Sequence, residues 1–123
     1  MLFVMYIAEI LTLTFYNPRL RNRAGVNIIP FRTIMIYMRA GGEAALINLV
    51  GNVVVFIPFG SLAPALFAKT RKFPEILAVA VAMPLMIEIL QFSFGRSTDI
   101  DDVILNAAGI LTGYAVYSAY KKW

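Results

Sequence analysis

Residues 44–68 read AALINLVGNVVVFIPFGSLAPALFA, a stretch without one charged side chain. As an α-helix rising ~1.5 Å per residue, it is long enough to cross the ~30 Å hydrocarbon core of a bilayer. Its polar residues are few and aligned. Asn48, Gly51, Asn52 and Val55 follow the spacing i, i+3, i+4, i+7 and share one face. Pro58 and Pro64 lie further along. Each removes a backbone donor and frees a carbonyl, of Val54 and Gly60 respectively, which predicts a kink or local unwinding near residues 56–60.

Two more runs follow the same plan. Residues 74–94 form a second long apolar segment, with Pro74 and Glu75 suited to a first helical turn and Pro84, Glu88 and Gln91 on one face. Residues 101–120 form a third, opening with Asp102, Asn106, Gly109 and Gly113 on one face. Thr98 or Asp99 is placed to cap this helix, Asp101 and Asp102 suit its positive end, and Lys121, Lys122 and Trp123 suit a membrane interface. Residues 1–16 are apolar apart from Glu9, Thr12 and Thr14 and span only ~24 Å as a helix. They lack the basic start and small-residue cleavage site of a signal peptide, so they are expected to form a first, short transmembrane helix.

Composition agrees. The chain has 123 residues, 60 % hydrophobic, with mean hydropathy +0.76, against roughly 45–50 % apolar in soluble domains. The expected fold is all-α: a polytopic membrane protein, an antiparallel bundle of four transmembrane helices, forming one domain over residues 1–123. The absence of Cys and His excludes disulfides, thiolate nucleophiles, the usual zinc sites and the Ser-His-Asp triad. No cofactor is expected. The net charge of +4 sits in the loops, where it points to topology and anionic headgroups and not to nucleic acid.

The connection 17–43 carries Arg19, Arg21, Arg23, Arg32 and Arg39. Pro30 is placed to start a short interfacial helix over residues 31–38, and the first three arginines are expected at headgroup level. Counting Lys and Arg gives five on the side of the termini and six on the other, so the positive-inside rule does not separate them. The dense turn 69–72 and the terminal Lys pair favour both termini inside.

Threading the helices up and down brings the three polar faces into one leaflet. Asn48, Asn52, Glu88 and Asn106 then lie roughly 6–12 Å inside their helix ends, with Glu9 at similar depth. A carboxylate at that depth costs on the order of 3 kcal/mol unless it meets protein or water. The candidate ligand-binding set is therefore Asn48, Asn52, Glu88, Gln91, Arg96, Asp99, Asp102 and Asn106. A plainer reading stands beside it: Asn residues glue helices, Gly109 and Gly113 allow close packing near Gly51 or Val55, and the aspartates cap. The stretch Asp99-Ile-Asp-Asp102 also offers oxygens for a divalent cation, although no metal site is expected.

These residues resemble the VanZ-like membrane proteins. The stretches that carry the resemblance are Asn27-Ile-Ile-Pro-Phe31, Asn48-Leu-Val-Gly-Asn52 running into Phe56-Ile-Pro-Phe-Gly60, Glu88-Ile-Leu-Gln91, Arg96-Ser-Thr-Asp-Ile-Asp-Asp102, and Asn106-Ala-Ala-Gly109 with Gly113-Tyr114. They occur in the family's order from residue 27 to 120. The resemblance implies a multi-pass bacterial plasma-membrane protein. The family's namesake is associated with low-level resistance to teicoplanin, a lipid-tailed glycopeptide aimed at cell-wall precursors. No catalytic residues follow from it.

Three functions fit, ahead of ion or solute transport, for which four spans make a thin pathway unless the protein is oligomeric. The first is a non-enzymatic cell-envelope accessory protein that binds a lipid or amphipathic envelope molecule in the polar half of the bundle. Its partners would be membrane lipids, among them anionic or lipid-linked precursors, and a homo-oligomer is allowed. The second is a membrane enzyme on a lipid-linked or phosphorylated substrate, with Glu88 as general base, Arg96 steadying charge, and Asp99 and Asp102 recruiting a metal. The third is a helix-packing scaffold subunit.

Overall fold

The structure is a computed structural model that describes residues 1–15 and 25–122. Arg19, Arg21, Arg23 and Trp123 lie outside the described residues. In chain order the elements are α1 (Leu2–Phe15), β1 (Val26–Asn27), α2 (Arg32–Ala40), α3 (Gly42–Leu66), a 3-10 turn (Ala68–Arg71), α4 (Phe73–Ser93), β2 (Thr98–Asp99) and α5 (Ile100–Lys121).

Among the described residues, three helices are long and apolar enough to cross a membrane: α3, α4 and α5. The fourth, α1, has 14 residues and falls short of the ~20 that a span requires. Much of their apolar surface faces outward. Leu46, Val50 and Val54 on α3, Leu77, Val81, Leu85 and Ile89 on α4, and Val116 on α5 are all exposed, as lipid-facing residues are.

In lipid, helices are held together by close packing and not by expulsion of water. The central helix is α5. It lies along α3 and, less extensively, along α4, while α3 and α4 touch each other little. The α3–α5 seam is made by glycines. A Cβ on Gly109 would overlap the carbonyl of Val53, one on Gly113 the carbonyl of Ile57, and one on Gly60 the carbonyl of Ile110. The pairings of Gly109 with Val53 and of Gly113 with Ile57 advance together along both helices, so α3 and α5 run parallel, and α4, which joins them in the chain, runs in reverse. The close approach therefore forms over residues 53–61, around the expected Val55 and not at the expected Gly51, where a Cβ would meet nothing. Gly60 is the glycine on α3 that the helix-face reading overlooked.

Ile10, Phe56, Ala63, Ile76, Ala80, Ile87 and Ile110 form the buried cluster inside this frame. On the outside of α3, Phe3 of α1 stacks on Phe59 and meets Phe67 edge-on, and the Tyr6 hydroxyl donates to the Val55 carbonyl. The expected unwinding near residues 56–60 does not occur: α3 is helical throughout, with both prolines inside it. The backbone of α5 bears directly on this stretch at Gly60, Ile57 and Ser61, which holds the helix across the missing hydrogen bonds.

The connection between α1 and α3 has more structure than its sequence showed. Helix α2 covers Arg32–Ala40 instead of 31–38. Before it, Val26 and Asn27 pair in parallel with Thr98 and Asp99. After it, Gly41 and Gly42 take φ +64 and +85, left-handed values open to glycine that turn the chain directly into α3.

Candidate functional site

The polar residues gather at one end of the three-helix frame, around the first turns of α5, and divide into two tiers.

The outer tier is built on Asp99 and Asp101. Asp99 is the N-cap of α5, its Oδ1 accepting the Asp101 N–H at 2.9 Å, as expected for that position. The same carboxylate accepts the Asn27 amide at 2.9 Å and the Thr33 hydroxyl at 2.5 Å. Asn27 also donates to Thr33 at 3.1 Å and accepts from the Ile29 N–H at 3.2 Å. Asp101 is 0 % exposed. Its Oδ1 accepts the Phe31 N–H at 2.5 Å, and its Oδ2 accepts the N–H groups of Thr33 and Ile34 at 2.7 and 3.0 Å. Helix α2 has no side-chain cap of its own. A carboxylate from α5, about 70 residues later, meets its orphan donors and positive end instead. Phe31 has φ 65, a left-handed conformation costing a bulky residue about 1–3 kcal/mol. Its N–H is held by Asp101, so the network fixes the strained entry into α2.

The inner tier lies deeper. Glu88 is 2 % exposed, Gln91 8 % and Asn106 5 %; Asn52, Arg96 and Asp102 are half-buried. The Asn52 amide donates to Asp102 Oδ1 at 3.2 Å, joining α3 to α5. Glu88 Oε2 accepts the Asp99 N–H at 3.1 Å, and the Thr98 hydroxyl donates to the Glu88 carbonyl at 3.3 Å, joining α4 to the turn before α5. The charges of Asp102, Asp99 and Arg96 act on Glu88, and that of Arg96 also acts on Asp102. Among the described residues, two buried side-chain atoms have no partner: Arg96 Nη1 and Asn106 Oδ1.

Seven of the eight residues singled out from the sequence belong to this end of the bundle. Asn52, Glu88, Gln91, Arg96, Asp102 and Asn106 form the inner tier, and Asp99 belongs to the outer one. Asn48 stays apart: it is exposed and its amide returns to the Ala44 carbonyl of its own helix at 2.7 Å. Glu9 is exposed on α1 and does not join either. The idea of a cation held between Asp99 and Asp102 loses its geometry, because Asp99 turns to Asn27 and Thr33 while Asp102 turns to Asn52. Among the described residues, no three Asp or Glu side chains gather as metal ligands. Spacing along the sequence does not bring Asp101, Asn27 and Thr33 together. Asp101 suits the end of its own helix, and only the pairing of two distant loops brings it to α2.

Apolar helices with outward-facing side chains, closed on a polar end, define a small polytopic α-helical membrane protein. The chain belongs to the VanZ-like family, whose sequence model, described as VanZ/LLP1, matches residues 2–121. It is similar to Protein VanZ of Enterococcus faecium, with 39 % identity over 76 residues, which cover 61 % of this chain and 47 % of that protein. The chain thus spans about half the length of that curated relative. No solved structure matches it.

Proposed function

We propose that this chain is a non-enzymatic accessory protein of the bacterial plasma membrane, with both termini cytoplasmic, that binds a lipid or amphipathic envelope molecule in the inner tier. A role in resistance to a lipid-tailed glycopeptide such as teicoplanin is part of this proposal. The observation that carries it is the pair of buried, unpartnered atoms, Arg96 Nη1, whose charge acts on Glu88 and Asp102, and Asn106 Oδ1, one turn along α5 from Asp102. An unpaired polar group in a water-poor site costs about 1–3 kcal/mol, and native proteins keep few of them. A ligand head that supplies both partners removes that cost in a low-dielectric site, where such bonds are strong.

The scaffold reading loses its main support, since Gly109 and Gly113 are used within the chain against α3. The enzyme reading loses one of its four residues, because Asp99 is occupied by the outer tier.

The test is Glu88→Gln. The amide keeps the shape and can still accept the Asp99 N–H, so the variant is expected to fold with an unchanged melting temperature. It is expected to co-purify with less lipid by mass spectrometry and to lose protection in a teicoplanin growth assay that the wild type passes. Full lipid retention and full protection in a folded variant would contradict the proposal.

A further inference from the structure

The inner tier has a donor–acceptor balance that selects among ligands. Among the described residues, the charges of its carboxylates, Glu88 and Asp102, with Asp99 alongside, are opposed by that of one guanidinium, Arg96. One oxygen of Glu88 is taken by the Asp99 N–H and one of Asp102 by the Asn52 amide. Asn106 adds an acceptor, Oδ1, with no partner, on a side chain 5 % exposed. On the donor side, Arg96 Nη1 has no partner either. Among the described residues the tier is therefore rich in acceptors and negative charge, with one cationic donor, Arg96.

Resting on the binding role proposed above, we propose that the inner tier takes a zwitterionic lipid head, its primary ammonium among Asn106, Glu88 and Asp102 and its phosphodiester on Arg96. A primary ammonium carries three N–H donors, enough for an amide oxygen and two carboxylates. The oxyanion a few bonds away meets the guanidinium with a charge-assisted bond. A phosphodiester without an amine satisfies Arg96 but brings a negative charge to the carboxylates and donates nothing to Asn106. A trimethylated amine carries the charge but has no N–H. A neutral hydroxyl pairs Asn106 or Arg96 and leaves the excess negative charge. The location suits a lipid: Asp102 and Asn106 lie within the first two turns of α5, and the half-buried Arg96 and Asp102 give the side of approach. Phe92, exposed at the same end of α4, offers apolar surface for acyl chains.

The experiment is native mass spectrometry of the delipidated full chain in detergent, titrated with phosphatidylethanolamine, phosphatidylcholine and phosphatidylglycerol of matched chains. Phosphatidylethanolamine is expected to bind about tenfold more tightly than either of the others, the scale of one charge-assisted hydrogen bond. Asn106→Leu is expected to bring it down to the phosphatidylcholine level, whereas Asn106→Asp, which keeps an acceptor, retains the preference. Melting temperatures in the same detergent establish that the variants fold. If Asn106→Leu does not fold, Glu88→Gln is read in the same titration, and an unchanged preference overturns the proposal. Soluble phosphoethanolamine separates the two sources of this head: weak competition is expected, and displacement at equal concentration assigns the site to a soluble amine and overturns the lipid assignment. Equal binding of ethanolamine and choline lipids, or tighter phosphatidylglycerol, overturns the ammonium assignment while the binding role stands, provided Asn106→Leu still weakens binding. Binding of all three lipids that ignores Asn106 overturns both.

Discussion

Asp101 and Asn106 lie five residues apart on α5, both buried and both polar, and they differ in one respect. Every oxygen of Asp101 is used: three backbone N–H groups of the α2 entry converge on it. The side-chain oxygen of Asn106 has no partner. Burial alone does not distinguish a structural polar residue from a binding one; completeness of hydrogen bonding does. The outer tier is closed on itself and holds the chain together. The inner tier is incomplete, and it is there that a ligand is proposed. A buried donor or acceptor costs most when left unmade, so the same physics makes Asp101 a fastener and Asn106 a candidate contact.

The largest expected effect falls on the seam that supports both tiers. Gly109→Leu drives a side chain into the carbonyl of Val53 on α3, backbone against which nothing can yield cheaply. Folded yield in detergent is expected to collapse, while Leu111→Ala, on the same helix, is expected to be mild. Equal yields would show that α3 and α5 can separate without loss, and the two tiers would then not share a frame.

Next comes the fastener itself. Asp101→Ala leaves the Phe31, Thr33 and Ile34 N–H groups without their acceptor and removes an anion from the start of α2. Bonds to a charged group are worth about 1.5–3 kcal/mol each, and the interface returns part of that, so a loss of about 3 kcal/mol or more is expected in thermal or chemical unfolding. Limited proteolysis is expected to cut first within residues 25–40. Stability unchanged within error would mean that the outer tier is no more structural than the inner.

The opposite sign is expected at Asn106. Asn106→Leu removes an unpaired acceptor and replaces it with apolar volume, which is neutral to stabilising by about 1 kcal/mol, while lipid retention falls. A strongly destabilised variant would mean that Asn106 is glue like Asp101, and the contrast between tiers would fail. The smallest effect belongs to Asn48. Asn48→Leu is expected to change neither melting temperature nor lipid retention, because the side chain is exposed and bonds only to its own helix.

Much of this was legible from residue spacing. The three long helices appear within two residues of their expected ends, because an apolar run of membrane length with a proline or polar turn at each border has few other solutions. The shared end of Asn52, Glu88, Asp102 and Asn106 followed from helical periodicity and up-and-down threading. Asn48 satisfied the same periodicity as Asn52 yet turned outward, since a spacing of four names a stripe and not the neighbour that stripe meets. Spacing points to Gly51 or Val55 for the close approach and is silent on Gly60 for a similar reason: only the register against α5 decides which glycine of α3 sits under a backbone.

The sequence by itself determined what local physics can decide: a helical chain with runs of membrane length, the position of those runs, the absence of thiol and imidazole chemistry, and the helix ends that carry the polar groups. The tertiary structure decided what depends on contacts between distant segments. Asn27 reaches Asp99 across 72 positions and Phe31 reaches Asp101 across 70, and a two-residue parallel pairing joins the loops that carry them. Periodicity has no memory at that distance. Which polar atoms are satisfied and which are left open is set only when the helices have docked, because a hydrogen bond requires two groups within about 3 Å.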